Sequence, residues 1–157
     1  PYQIQESDSP EIIAFKYYGS VDYYWVVLLV NDITDPLRQW PKNYASFQKH
    51  IIDQYNSLSN AQVSIHHYEK ILTKINSHGE TSQNITWITE SQYNELTSVV
   101  PLVYTFSDGS TVTIETERRV IDCYTYEEQQ NDLARNILLL KSEYLSQVVE
   151  ELETLVA

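Results

Sequence analysis

The amino-acid sequence predicts an α+β fold, on three observations. Apolar residues recur at helical spacing in two separate stretches. Tyr44, Phe47, Ile51, Tyr55 and Leu58 form one stripe, and Tyr144, Leu145, Val148, Val149, Leu152, Leu155 and Val156 form another. Between them, Leu102–Phe106 and Thr111–Thr116 flank Ser107-Asp108-Gly109-Ser110, the pattern of a β-hairpin. Helix starts are written as Ser9-Pro10-Glu11 and as the capping box Thr89-Glu90-Ser91-Gln92. The 157 residues suit one domain or two small ones. The expected division is a head with its following helix over 1–58, and an α+β region ending in an amphipathic helix over 59–157.

In chain order, Tyr2-Gln3-Ile4-Gln5 alternates and reads as a short strand. Pro10–Tyr18 reads as a helix capped by Ser9 and stopped at Gly19. The run from about Asp22 to Val30 reads as a second helix, apolar on most sides and hence buried on most sides. Asn31-Asp32 and Asp35-Pro36 break the chain. Asn43 caps a third helix. Ser57–Gln62 reads as a polar linker, Val63–Leu72 as a strand, and Ser77–Asn84 as a polar loop. A short helix runs from the capping box to Leu96, closed by Pro101. After the hairpin, Val120–Tyr126 reads as a further strand. Glu127–Arg135 begins the helical end, Asn136–Leu140 is an apolar pivot, and the terminal helix follows.

Net charge is −12. Such a surface repels phosphate backbones and anionic membranes, so neither nucleic acid nor membrane is an expected partner. No apolar run reaches the ~18 residues of a membrane span. Cys123 is the single cysteine, which excludes an intramolecular disulfide framework and fits a reducing compartment. Pro1 is expected as the mature start left by removal of an initiator methionine. The 13 tyrosines and 3 tryptophans supply large apolar area with a polar tip, the composition of interfaces as well as of cores.

Little in the chain points to catalysis. On a regular strand His66 and His67 face opposite sides and cannot share a metal. His50 and His78 are distant, and no second ligand stands at metal spacing. Cys123, in the expected strand beside Asp122 and Tyr124, lacks a base and an electropositive pocket. The acidic pairs Glu127-Glu128 and Glu150-Glu151 read as solvated faces. Only 3 glycines leave no phosphate-cradling loop. Asn84-Ile85-Thr86 fits the glycosylation pattern without any sign of secretion. No enzyme activity, no cofactor and no small-molecule substrate are expected.

The first ~40 residues resemble a LysM-type module. Tyr2-Gln3-Ile4-Gln5 resembles its opening strand. Ser9-Pro10-Glu11-Ile12-Ile13-Ala14 resembles its "D-T-L-x-x-I-A" helix, and Tyr18-Gly19 the turn. Trp25 to Asn31 resembles its second helix with the closing asparagine. More specifically, the chain resembles the baseplate wedge protein 53 family of contractile-tailed bacteriophages. Tyr17-Tyr18-Gly19, Asp22-Tyr23-Tyr24-Trp25 and Asn31-Asp32-Ile33-Thr34-Asp35-Pro36 with Trp40-Pro41 carry the likeness. So do His66-His67-Tyr68, the segment Tyr126–Ile137 with Asn131 and Arg135, and the closing Tyr144–Leu152. Two departures stand out. Tyr24-Trp25 replaces a Trp-Trp pair, and Asp35-Pro36 interrupts the place of the second LysM strand.

The resemblance implies a fold made of a small LysM-like βαα head, a helix, a β-hairpin or short antiparallel sheet, and a C-terminal amphipathic helix. It implies a structural subunit of the virion tail baseplate, assembled in the host cytoplasm. The implied partners are other baseplate wedge and tail proteins in a sixfold hetero-oligomer. The expected interface residues are Tyr17, Tyr18, Tyr24, Trp25 and Trp40 as rigid anchors, with Asp35, Pro36 and Pro41 in the rebuilt loop. Tyr144, Leu145, Val148, Val149 and Leu152 complete them on the terminal helix. The alternative for each aromatic is its own core, for Trp25 above all. The alternative function is a LysM module that binds peptidoglycan or chitin.

Overall fold

The computed structural model describes residues 1–96 and 101–156. The mixed α+β class is present. In chain order the elements are β1 (Tyr2–Gln3), α1 (Pro10–Tyr18), a 3-10 turn (Val21–Tyr23), α2 (Tyr24–Val30), α3 (Pro36–Gln39), α4 (Tyr44–Tyr55) and α5 (Leu58–Val63). They continue with β2 (Ile65–Asn76), β3 (Thr81–Ile88), α6 (Glu90–Glu95), β4 (Leu102–Thr105) and β5 (Thr111–Asp122). Last come α7 (Cys123–Ala134), β6 (Asn136–Ile137), a 3-10 turn (Ser142–Tyr144) and α8 (Leu145–Val156).

The helix signals act as expected. The Ser9 hydroxyl accepts the Ile12 N–H at 3.3 Å, and Gly19 ends α1 at φ 83°, a conformation only glycine adopts cheaply. Asn43 accepts the Ser46 N–H at 2.9 Å, and Thr89 and Gln92 complete their capping box.

Several elements differ from the sequence reading. The run from Asp22 enters as a 3-10 turn, and α2 begins only at Tyr24. Ser57–Gln62 is no linker: the Ser57 hydroxyl accepts the Asn60 N–H at 3.1 Å and starts α5. Thr81–Asn84 is strand, not loop. It lies at a sheet edge where both faces meet water, so its polar side chains need no burial. Residues 123–126 are helix, not strand. The Asp122 carboxylate takes the Thr125 N–H at 2.9 Å and the Thr125 hydroxyl at 2.8 Å, capping α7. Cys123 is therefore a buried residue of a first helical turn. Asn136-Ile137, expected as a pivot, is strand β6.

The chain groups into two compact units, residues 1–50 with 128 onward, and residues 51–127. In the first unit β1 pairs antiparallel with β6, Tyr2 opposite Ile137 and Gln3 opposite Asn136. Ile4, Ile13, Ala14, Val27 and Ile137 form the core, and Tyr2, Tyr18, Tyr23, Trp40 and Leu139 pack around it. Each buried Ile or Val contributes roughly 1.5–3 kcal/mol. The interval from Ile33 to Trp40 holds α3; the partner strand of β1 comes from the far end of the sequence.

The second unit is built on a four-stranded antiparallel sheet in the order β3-β2-β5-β4. Tyr68 stands opposite Ile88 on one side and Val120 on the other. The β2–β5 register slips between Ile65 and His67, a β-bulge. The Tyr55 hydroxyl donates to Glu127 at 3.1 Å; burial first, then that carboxylate, pushes its pKa up to about 12, so it remains a donor.

Candidate assembly interface

The first unit is closed by side chains that reach across the sequence. The Asn31 amide donates to the carbonyls of Val27 and Leu138, both at 2.8 Å, and its Oδ1 accepts the Leu138 N–H at 2.8 Å. Asn131 does the same for Lys42, accepting its N–H at 2.7 Å and donating to its carbonyl at 3.0 Å. Arg135 donates to the carbonyls of Ile4 and Lys42 and pairs with Glu6 at 2.7 Å. The Asn131…Arg135…Ile137 pattern thus fastens β6 to the head.

Asp8 is the polar centre of that unit. Its buried carboxylate accepts Tyr2 Oη at 2.7 Å, the Gln5 N–H at 3.0 Å and Lys16 Nζ at 2.6 Å. Burial alone would raise its pKa. The bonds from Lys16, Gln5 and Tyr2 outweigh burial and hold it below the usual aspartate value. The Asp8 carbonyl also takes the Trp40 indole N–H at 3.1 Å.

These contacts sort the expected anchor residues. Trp40 is half-buried on the core, Pro41 is buried, and Asp35 caps α3 by accepting the Leu37 N–H at 3.1 Å. Tyr18 is half-buried, with its hydroxyl on the Leu140 carbonyl at 2.9 Å. Trp25 is half-buried. Tyr17 is 46% exposed and Tyr24 43%, while Pro36 stands exposed beside Leu37, which is 94% exposed and was not singled out from sequence. On α8, Leu145, Val148 and Val149 are half-buried and Leu152 is exposed, as is Leu155 beyond it; Tyr144, in the 3-10 turn before the helix, is exposed.

The second unit holds an aromatic and ionic knot that sequence reasoning missed. The bulge brings His66 and His67 together, contrary to the opposite-face reading, with their Nδ1 atoms 2.8 Å apart. His66 stacks on Tyr126 at 3.7 Å and His67 on Trp87 at 4.1 Å. His67 Nε2 meets Glu69 at 3.2 Å, and Arg119 donates Nε and an η nitrogen to the same carboxylate at 2.9 and 2.6 Å. A carboxylate only accepts, so the hydrogen between His67 Nε2 and Glu69 sits on His67, and one of the two Nδ1 atoms donates to the other. Burial would raise the Glu69 pKa, but Arg119 and His67 hold it below the usual glutamate value. This is a structural lock. Among the described residues no group of three His, Cys, Asp or Glu is placed to hold a metal.

The sheet leaves further apolar side chains in solvent. Trp87, Leu102, Val103, Tyr104 and Phe106 are each more than half exposed. Among the described residues no helix is long and apolar enough to cross a membrane.

A family model described as base plate wedge protein 53 matches residues 1–154. The baseplate wedge protein gp53 of Enterobacteria phage T4 is 28% identical over 92 residues, which are 59% of this chain and 43% of the phage protein. The matched part therefore spans less than half the length of that relative. The family match takes in nearly all of both compact units, α8 up to residue 154 included, and on it the chain belongs to the base plate wedge protein 53 family.

Proposed function

We propose that this chain is a structural subunit of a phage tail baseplate wedge, seated in the virion tail and working by contact rather than by catalysis. The family match over residues 1–154 carries this reading. The apolar surface left open on both units supports it. Its partners are other baseplate proteins, joined in a sixfold, contractile-tail assembly in which this chain clamps wedge components. Tyr17, Tyr24, Pro36 and the α8 stripe are the contact residues offered to them. Trp40, Pro41, Asp35 and Tyr18 shape the head that presents those residues. In the same reading β1, α1, α2 and β6 make a LysM-like arrangement whose second strand is donated from Asn136-Ile137. No membrane or small-molecule substrate enters, and the net charge of −12 disfavours nucleic acid.

The experiment is reconstitution. Baseplate wedges assembled with and without this chain are compared by sedimentation and electron microscopy. The reading requires the chain in the particle and fewer completed baseplates without it. Complete baseplates formed equally well in its absence would overturn it.

A further inference from the structure

We infer that α8 is a docking helix for a partner helix whose apolar seam is flanked by lysine or arginine; the inference rests on the assembly reading and names the partner's chemistry. Leu145, Val148, Leu152 and Leu155 follow the 3-4-3 spacing of a coiled-coil seam, with Val149 widening it. The seam opens along the helix: its first half is half-buried, Leu152 is 38% exposed and Leu155 82%. Glu151 and Glu153 flank the widened seam on its two sides, and Glu150 lies on the opposite face. The helix holds no basic residue.

That charge pattern conflicts with the helix itself. Glu153, in the last turn, faces the negative end of the helix dipole and destabilises it, where natural helices place cations. A 12-residue helix is marginal in water even without that penalty. Lysines or arginines on a neighbouring helix relieve both problems: they pair with Glu151 and Glu153 along the two edges of the seam. A second copy of this chain does the opposite, since it brings the same acids and a further charge of −12.

The test titrates the full chain with synthetic helical probes of identical leucine seam, one flanked by lysines and one by glutamates. The lysine probe should bind at least about tenfold more tightly, and the preference should shrink as salt rises from about 0.05 to 0.5 M. The Glu151→Lys, Glu153→Lys double variant should reverse the preference, and Leu152→Asp should lose both probes. Equal affinities, no binding of either probe, or a dimer in sedimentation that Leu152→Asp dissolves would each overturn the inference. A chain that enters baseplates yet ignores the lysine probe refutes the inference alone. One that binds the probe yet stays out of baseplates refutes the assembly reading alone.

Discussion

Asn31 brackets the backbone of Leu138, donating to its carbonyl and accepting its N–H, each at 2.8 Å. A residue that ends α2 thereby fixes the segment just after β6, although 107 positions separate the two in sequence. A carboxamide suits the task, because its nitrogen supplies hydrogens to both the Leu138 and Val27 carbonyls while its oxygen accepts the Leu138 N–H.

Asn31→Ala removes that clamp and the bond to the Val27 carbonyl. The expected loss is about 1–3 kcal/mol, read from urea unfolding. Asn31→Asp should be no better, since a carboxylate would face two carbonyl oxygens without a proton to give. Hydrogen exchange at the Leu138 amide should quicken in both variants. Unchanged exchange there would refute the clamp.

Asp8 sets the acid limit of the first unit. Its folded pKa is depressed, so its contribution is present above the unfolded value of about 3.9 and fades as pH falls through the lower folded value. Wild-type stability should drop below about pH 4 partly for this reason. Asp8→Asn should be less stable at neutral pH by about 1–3 kcal/mol, with a flatter acid limb. Parallel pH profiles for the two proteins would contradict this assignment.

What the sequence displayed was local. The Ser9, Asn43 and Thr89 caps, the Gly19 stop and the hairpin at Asp108-Gly109 each lie within a few residues of their effect, and each is where expected. The failures have a common physical cause. A two-residue strand such as Asn136-Ile137 has no period to read, and its partner lies at the opposite end of the chain. Polar Thr81–Asn84 gave no alternation because an edge strand exposed on both faces does not require one. His66 and His67 meet only because of a register slip that side-chain alternation conceals. Asp122 did carry a capping signal, but the β-branched Val120-Ile121 before it favoured extending the strand. Among the expected anchor residues, the sequence could not separate Trp40, whose indole is held by the Asp8 carbonyl, from Tyr17, left 46% exposed.

Glu69 and Arg119 should behave as a coupled pair. Arg119→Met leaves a buried carboxylate with only His67 beside it, and a cost of about 3 kcal/mol is expected. Glu69→Leu leaves Arg119, 46% exposed, free to reach water, so the cost should be nearer 1 kcal/mol. The double variant should be more stable than Arg119→Met alone. Simple additivity in the double-mutant cycle would show that the pair does not act as a unit.

Tyr17 and Trp40 should separate contact from scaffold. Tyr17 is 46% exposed and meets Tyr18 in a T-shaped contact at 5.1 Å. Tyr17→Ala combined with Tyr24→Ala should therefore change unfolding free energy by no more than about 1 kcal/mol while lowering incorporation into reconstituted baseplates. Trp40→Ala removes packing on the core cluster and the bond to Asp8, so it should cost about 2–4 kcal/mol and reduce incorporation through stability. Cooling the assembly reaction distinguishes the two. The folded fraction of the Trp40 variant recovers at lower temperature and incorporation should recover with it. The tyrosine variant stays folded throughout and should remain deficient. Recovery of both variants together would remove Tyr17 and Tyr24 from the interface.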